Sequence, residues 1–121
     1  MRIELRSIVG KGDLQKERVT LRVTQDANIG EFVLFQADFN GDEVTTEVRE
    51  TVWFQDKPVN KGDLIVIYTR DGAESEKILT TGKTAHFYYL GKTSTIWDRR
   101  RVGAVILHAP WWQARQVADL E

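Results

Sequence analysis

His86 and His108 are the side chains of this chain best suited to moving a proton, and Ser7, Ser75 and Ser94 are its candidate nucleophiles. Serine chemistry needs a sharp elbow that presents the hydroxyl beside oxyanion-binding amides, and none of the three serines lies in such a stretch. Zinc needs several converging ligands, yet neither histidine has a second histidine or an acidic partner at short spacing. The chain has no cysteine, which excludes a thiolate nucleophile and cysteine-based zinc sites. Each histidine sits one step from apolar neighbours, so each is expected at a core edge, satisfied by a hydrogen bond. Gly82-Lys83-Thr84 and Gly91-Lys92-Thr93 look like the end of a phosphate loop. Such a loop needs a further glycine upstream, where this chain has Lys77 and His86, so both are read as loops carrying a lysine. Asp38, Asn40, Asp42 and Glu43 form a faint calcium-loop pattern, and a solubilising hairpin tip is the plainer reading. No catalytic residue, metal, cofactor or small-molecule substrate is expected. The chain reads as a non-enzyme.

The stretch richest in binding chemistry is STIWDRRRVGAVILHAPWWQAR. Arginine pairs in a fork with carboxylate or phosphate, and tryptophan offers a flat face to a partner. Neighbours in an extended chain face opposite ways, so Trp111 and Trp112 are hard to bury together. Trp97, Arg99, Arg100, Arg101, Trp111 and Trp112 are therefore the candidate partner-binding residues. A protein partner, either a second copy or another chain, ranks ahead of nucleic acid stacked on the same tryptophans and paired with the arginines.

The elements that must carry these residues follow a period of two. Ile3 and Leu5, then Val19, Leu21 and Val23, alternate with polar neighbours, as half-buried strands do. Val44, Val48, Val52 and Phe54 share a parity and predict one further amphipathic strand. FVLF (32–35), LIVIY (64–68) and AVIL (104–107) are apolar on both parities, which predicts central strands covered on both sides. Turn residues separate the runs, among them two copies of Lys-Gly-Asp-Leu, at 11–14 and 61–64. Their flanks differ, so the copies are not a repeated unit. In each, Gly is placed to turn the chain and Asp to satisfy a backbone amide. The pattern predicts an all-β fold over 1–109, an antiparallel sandwich or barrel of seven to nine strands. The tail, 110–121, is predicted as a short helix behind Pro110, with Trp111, Ala114 and Ala118 on one face.

At 121 residues the chain has the length of one domain. Seventeen basic residues against eighteen acidic ones give no global field toward nucleic acid or an anionic membrane. No apolar run approaches the length of a membrane span, and the start of the chain lacks the apolar core of a secretory leader. A soluble, cytoplasmic protein without membrane contact is expected.

The order of these motifs resembles the lamin-tail domain. Glu17-Arg18-Val19-Thr20-Leu21 is similar to an early strand of that family, and Ile29-Gly30-Glu31-Phe32-Val33-Leu34 to the segment after it. Phe54 through Val59, followed by Lys61-Gly62-Asp63-Leu64-Ile65-Val66-Ile67, resembles its aromatic, loop and apolar-strand succession. Ile96-Trp97-Asp98 with Ala104-Val105-Ile106-Leu107 resembles its late turn and last strand. The likeness spans about residues 1 to 109 and leaves the tail outside. It implies an immunoglobulin-like sandwich without a catalytic centre. By the resemblance, such a module contacts proteins and in some members nucleic acid or chromatin. The expected function is a small non-catalytic protein-interaction module, an accessory subunit of a larger assembly, with nucleic-acid binding as the alternative.

Overall fold

The computed structural model describes all 121 residues. It contains ten strands: β1 (Ile3–Val9), β2 (Arg18–Val23), β3 (Ala27–Asn28), β4 (Phe32–Asn40), β5 (Glu43–Trp53), β6 (Pro58–Val59), β7 (Leu64–Tyr68), β8 (Ser75–Ile78), β9 (Thr84–Tyr89) and β10 (Val102–His108). A five-stranded sheet runs in the order β1-β2-β7-β9-β8, a three-stranded sheet in the order β10-β4-β5, and β3 pairs only with β6. The chain is an all-β sandwich, as the alternation predicts. One pairing departs from a purely antiparallel scheme: β7 and β9 run parallel, with Leu64 opposite Ala85 and Tyr68 opposite Tyr89. The strand between them, β8, pairs on the outer edge of β9 instead. No helix is long and apolar enough to cross a membrane.

The alternating strands place their apolar parity inward. Val19, Leu21 and Val23 of β2 are buried, and Arg22 between them is exposed. β7 has Ile65, Val66 and Ile67 all buried, which matches its doubly apolar sequence and central position. From the other sheet come Phe32 and Leu34, joined by Phe54, Val59, Tyr88, Ile96 and Trp97 in one cluster of 14 buried residues. Burying a side chain such as Phe32 or Ile65 contributes about 1.5–3 kcal/mol, so this one cluster holds both layers together.

The two Lys-Gly-Asp-Leu copies are turns, each with glycine at positive φ, 87° at Gly12 and 92° at Gly62. The Asp13 side chain accepts from the Gln15 amide at 3.0 Å. The Asp63 side chain accepts from the Asn60 amide at 3.0 Å and the Thr84 amide at 3.1 Å. Turn chemistry, not duplication, explains the recurrence.

Several expectations need correction, the first two at β5 and in the tail. Val44 and Val48 are exposed, while Val52 packs against the core and Phe54 lies in it. The register between β4 and β5 shifts twice, between Phe35 and Ala37 and again between Ala37 and Phe39. One inserted residue moves every following side chain to the other face, so a shared parity in sequence does not survive into space. The tail is the second. Its only regular turn is a 3-10 turn at Val117–Asp119, and the residues between Ala109 and Gln116 form no helix. A segment this short gains too few hydrogen bonds to offset nucleation without a surface to dock on, so Trp111, Ala114 and Ala118 share no helical face.

Candidate functional site

The three-stranded sheet has one face on the core and the other in solvent. Pairing defines the outer face row by row. Leu107, Val33 and Trp53 stand across from one another, then Val105, Phe35 and Thr51, then Gly103, Ala37 and Val48, then Phe39 and Val44. Directly opposed residues share a face, and the alternate residues Phe32, Leu34, Ala104 and Ile106 are the ones turned to the core. Gly103 leaves room for the Phe39 ring, which would lie 2.5 Å from a Cβ there. An aromatic and aliphatic floor results, with no layer above it: Trp53, Leu107, Val48 and Val44 are exposed, and Ala37 between them is buried. The sequence FVLF and AVIL predicts cover on both sides, and only one side is covered.

The outer face of the larger sheet is different. Tyr68 stacks on Tyr89 at 5.3 Å and on Phe87 at 6.5 Å. The Arg70 guanidinium lies 4.7 Å from the Tyr68 ring centre and that of Arg18 lies 5.7 Å from it. Ser7 and Thr20 hydroxyls bond to each other at 2.6 Å beside them. This face is closed by its own cations and hydroxyls. Of the four edges of the five- and three-stranded sheets, two, β5 and β8, are guarded as well. β5 is bulged and carries Glu43, Glu47 and Arg49, and β8 carries Glu76 and Lys77. Charge and irregularity of this kind discourage strand addition. The naked surface is the outer face of β10-β4-β5.

The tail begins at one end of that face. The Ala109 amide donates to the Glu31 carbonyl at 2.7 Å, and Trp112 meets Trp53 edge-on with ring centres 4.8 Å apart. The Trp53 indole N–H donates to the Gly30 carbonyl at 3.2 Å, which fixes that ring upright. Trp53 is 52 % exposed, Trp112 63 % and Trp111 91 %. Trp53 went unnoticed in the sequence because it sits in a strand whose pattern places it on the polar parity.

The arginines stand at the opposite end of β10. Arg101 adopts φ 59°, and its carbonyl accepts from the Phe39 amide at 2.7 Å. Arg99 reaches back to the buried Gln36 side chain at 3.3 Å. Asp38, Glu47, Arg49 and Arg99 to Arg101 line an open groove between this turn and the β4–β5 hairpin. Arg49 grips Asp38 with two bonds of 2.8 Å, and that donation holds the Asp38 carboxyl below the usual range. The hairpin tip itself closes with Asn40 opposite Glu43 and Gly41 at φ 60°, a turn as expected. Seven residues of β10 separate the arginine turn from the tail, about 23 Å. Trp97 joins neither group. It is 5 % exposed and part of the core, so it has no face to offer a partner.

The titratable side chains that could do chemistry are occupied by structure. Glu17 is fully buried and accepts from the Thr69 hydroxyl at 2.6 Å and the Ile96, Gly12 and Trp97 amides at 2.9, 3.1 and 3.3 Å. His86 bonds Asp63 at 2.9 Å inside the protein. Burial opposes ionisation of Asp63, but the Asn60 and Thr84 amides and His86 outweigh it and lower its pKa. His108 stacks on Phe32 at 4.6 Å and bonds Glu31 at 3.0 Å. Each histidine has an acidic partner far away in sequence, but neither is a fully satisfied core-edge residue: His86 is buried with its Nδ1 left without a hydrogen bond, and His108 is exposed.

The sequence matches no protein-family model and no curated protein.

Proposed function

We propose that this protein is a non-catalytic interaction module whose partner docks on the outer face of β10-β4-β5 and on Trp53, Trp111 and Trp112 beside it. The single observation carrying this reading is that an apolar sheet face stands in solvent while the opposite outer face is sealed by arginine, serine and threonine. Exposed contiguous apolar surface on a small protein marks a site of association. Tryptophan and arginine at its two ends are the residue types that carry most binding energy in protein interfaces. The enclosure of Glu17, Asp63 and His86 by their own neighbours supports a non-catalytic role. The resemblance to a lamin-tail module points the same way, and membership of that family and a soluble, cytoplasmic setting belong to this proposal.

The test is affinity capture from native lysate with the wild type and with a Leu107→Lys variant. Leu107 is exposed at the rim of the face, so lysine there leaves the core intact and places a charge in the interface. The wild type should retain proteins that the variant loses. Identical capture by both, with both folded by circular dichroism, would remove the outer face from consideration.

A further inference from the structure

Resting on that reading, we infer that the occupant of the outer face is the tail of a second copy of this chain, so that two protomers exchange arms. Four features of the molecule lead there.

Direction comes first. The tail leaves β10 beside Glu31 and crosses the end of the sheet to put Trp112 on Trp53, which stands on β5. It therefore runs across the strands, about 10 Å of sheet width, not back along them. To descend onto its own face it would have to reverse sharply. Trp112 rests on the rim of its own protomer's face, and beyond it every residue of the arm is exposed and bonds only within the arm, so that face stays uncovered.

Composition comes second. Trp111, Trp112, Val117 and Leu120 are all exposed. Apart from the edge of Trp112 that meets Trp53, they form an apolar arm without a surface, on the same chain as an apolar surface without a cover.

Charge comes third. The arm carries Asp119 and Glu121 against one cation, Arg115, and the far end of the outer face meets Arg99, Arg100 and Arg101, where Asp38 is already paired with Arg49 and Glu47 is the other carboxylate. Fully extended, the arm reaches about 40 Å, longer than the roughly 23 Å of β10. An arm starting at the tryptophan end of a partner's face delivers its acidic residues to the partner's arginines.

Area comes last. Three strands of this length present only about 300 Å² in projection, well short of the roughly 800 Å² per partner of a stable interface. An exchanged arm about 40 Å long and ~10 Å wide adds about 400 Å². Each protomer contributes both a face and an arm, and the sum, about 700 Å², lies in the lower part of the range of specific interfaces. Neither part suffices alone.

Sedimentation velocity on the purified full chain tests this. A dimer is expected at micromolar concentration. Leu107→Lys on the face and a Trp111→Ser/Trp112→Ser double variant on the arm should each weaken it about 10- to 100-fold. Two charge reversals fix the register: Arg100→Glu/Arg101→Glu and Asp119→Lys/Glu121→Lys each weaken the dimer, and mixing these two full-length variants restores association. A wild type that stays monomeric up to about 500 μM overturns the inference, as does a dimer indifferent to the tryptophan pair. Failure of the mixed charge reversals to associate overturns the arm's placement. A monomer that still captures other proteins through Leu107 overturns the second copy and leaves the interaction reading standing. Loss of both overturns the two together.

Discussion

At the residue scale the molecule spends its polar chemistry on holding loops. The Glu17 carboxyl gathers three backbone amides and a hydroxyl from three separate parts of the chain. Asp63 does the same for the turn before β7 and the start of β9. The Asp63 arrangement has a pH signature. Its pKa lies below its ordinary value of 3.8, so the folded state resists protonation more than the unfolded state does. The stability it contributes is complete above about pH 5 and is lost as pH falls through the unfolded value toward the folded one. Asp63→Asn removes that ionisation and weakens the bonds to two amides and His86, at a cost of about 2–4 kcal/mol near neutral pH. The stability gap between variant and wild type, read from urea midpoints, should narrow in acid. A gap that stays constant down to about pH 3 would refute the assignment. None of this was legible residue by residue. The turn role of both aspartates follows from Gly and Asp side by side, but their reach to Thr84 and His86 depends on a strand pairing that a local pattern does not encode.

Elements set which face a residue presents. β5 reads as one amphipathic strand, and its two register shifts against β4 divide it into a part that packs inward at Val52 and a part that faces out at Val48 and Val44. Thr46 lies within the second shift at φ 67°. A β-branched side chain is strained in that region, where glycine is not. Thr46→Gly should therefore raise stability by about 0.5–1 kcal/mol after the entropy cost of glycine. Thermal unfolding of the two proteins measures it, and a lower melting temperature for the glycine variant would show that the strain is not there. The Phe39 ring over Gly103 belongs to the same scale: it stands on β4, paired with the outward-facing part of β5, and needs a residue without a side chain on β10.

For the whole molecule, both sheets share one buried cluster, with β2, β4, β7, β9 and the Ile96-Trp97 turn all represented. Neither layer has a core of its own, so unfolding should be a single cooperative transition. Circular dichroism and tryptophan fluorescence should give one common denaturant midpoint. Separate midpoints for the two probes would mean that the three-stranded sheet opens independently. The parallel pairing of β7 with β9 across β8 makes many contacts distant in sequence, a topology that folds in milliseconds to seconds. The same layering explains the exposed face: with only two layers, one side of each sheet always faces out, and this chain seals one of them and leaves the other apolar.

Local sequence determined the strands, the turns and the inward parity of β2 and β7, because side-chain alternation and glycine conformation act over a few residues. It singled out the Arg99–Arg101 and Trp111–Trp112 groups, but its reading of FVLF and AVIL as covered on both sides fails, because only one face of their sheet is packed. Only the tertiary structure decided that Trp97 is core, that Trp53 stands beside Trp112, and that arginines and tryptophans occupy opposite ends of one strand. Register shifts and the choice of strand neighbours made those decisions. They arise from packing between segments far apart in the chain, which no local period can specify.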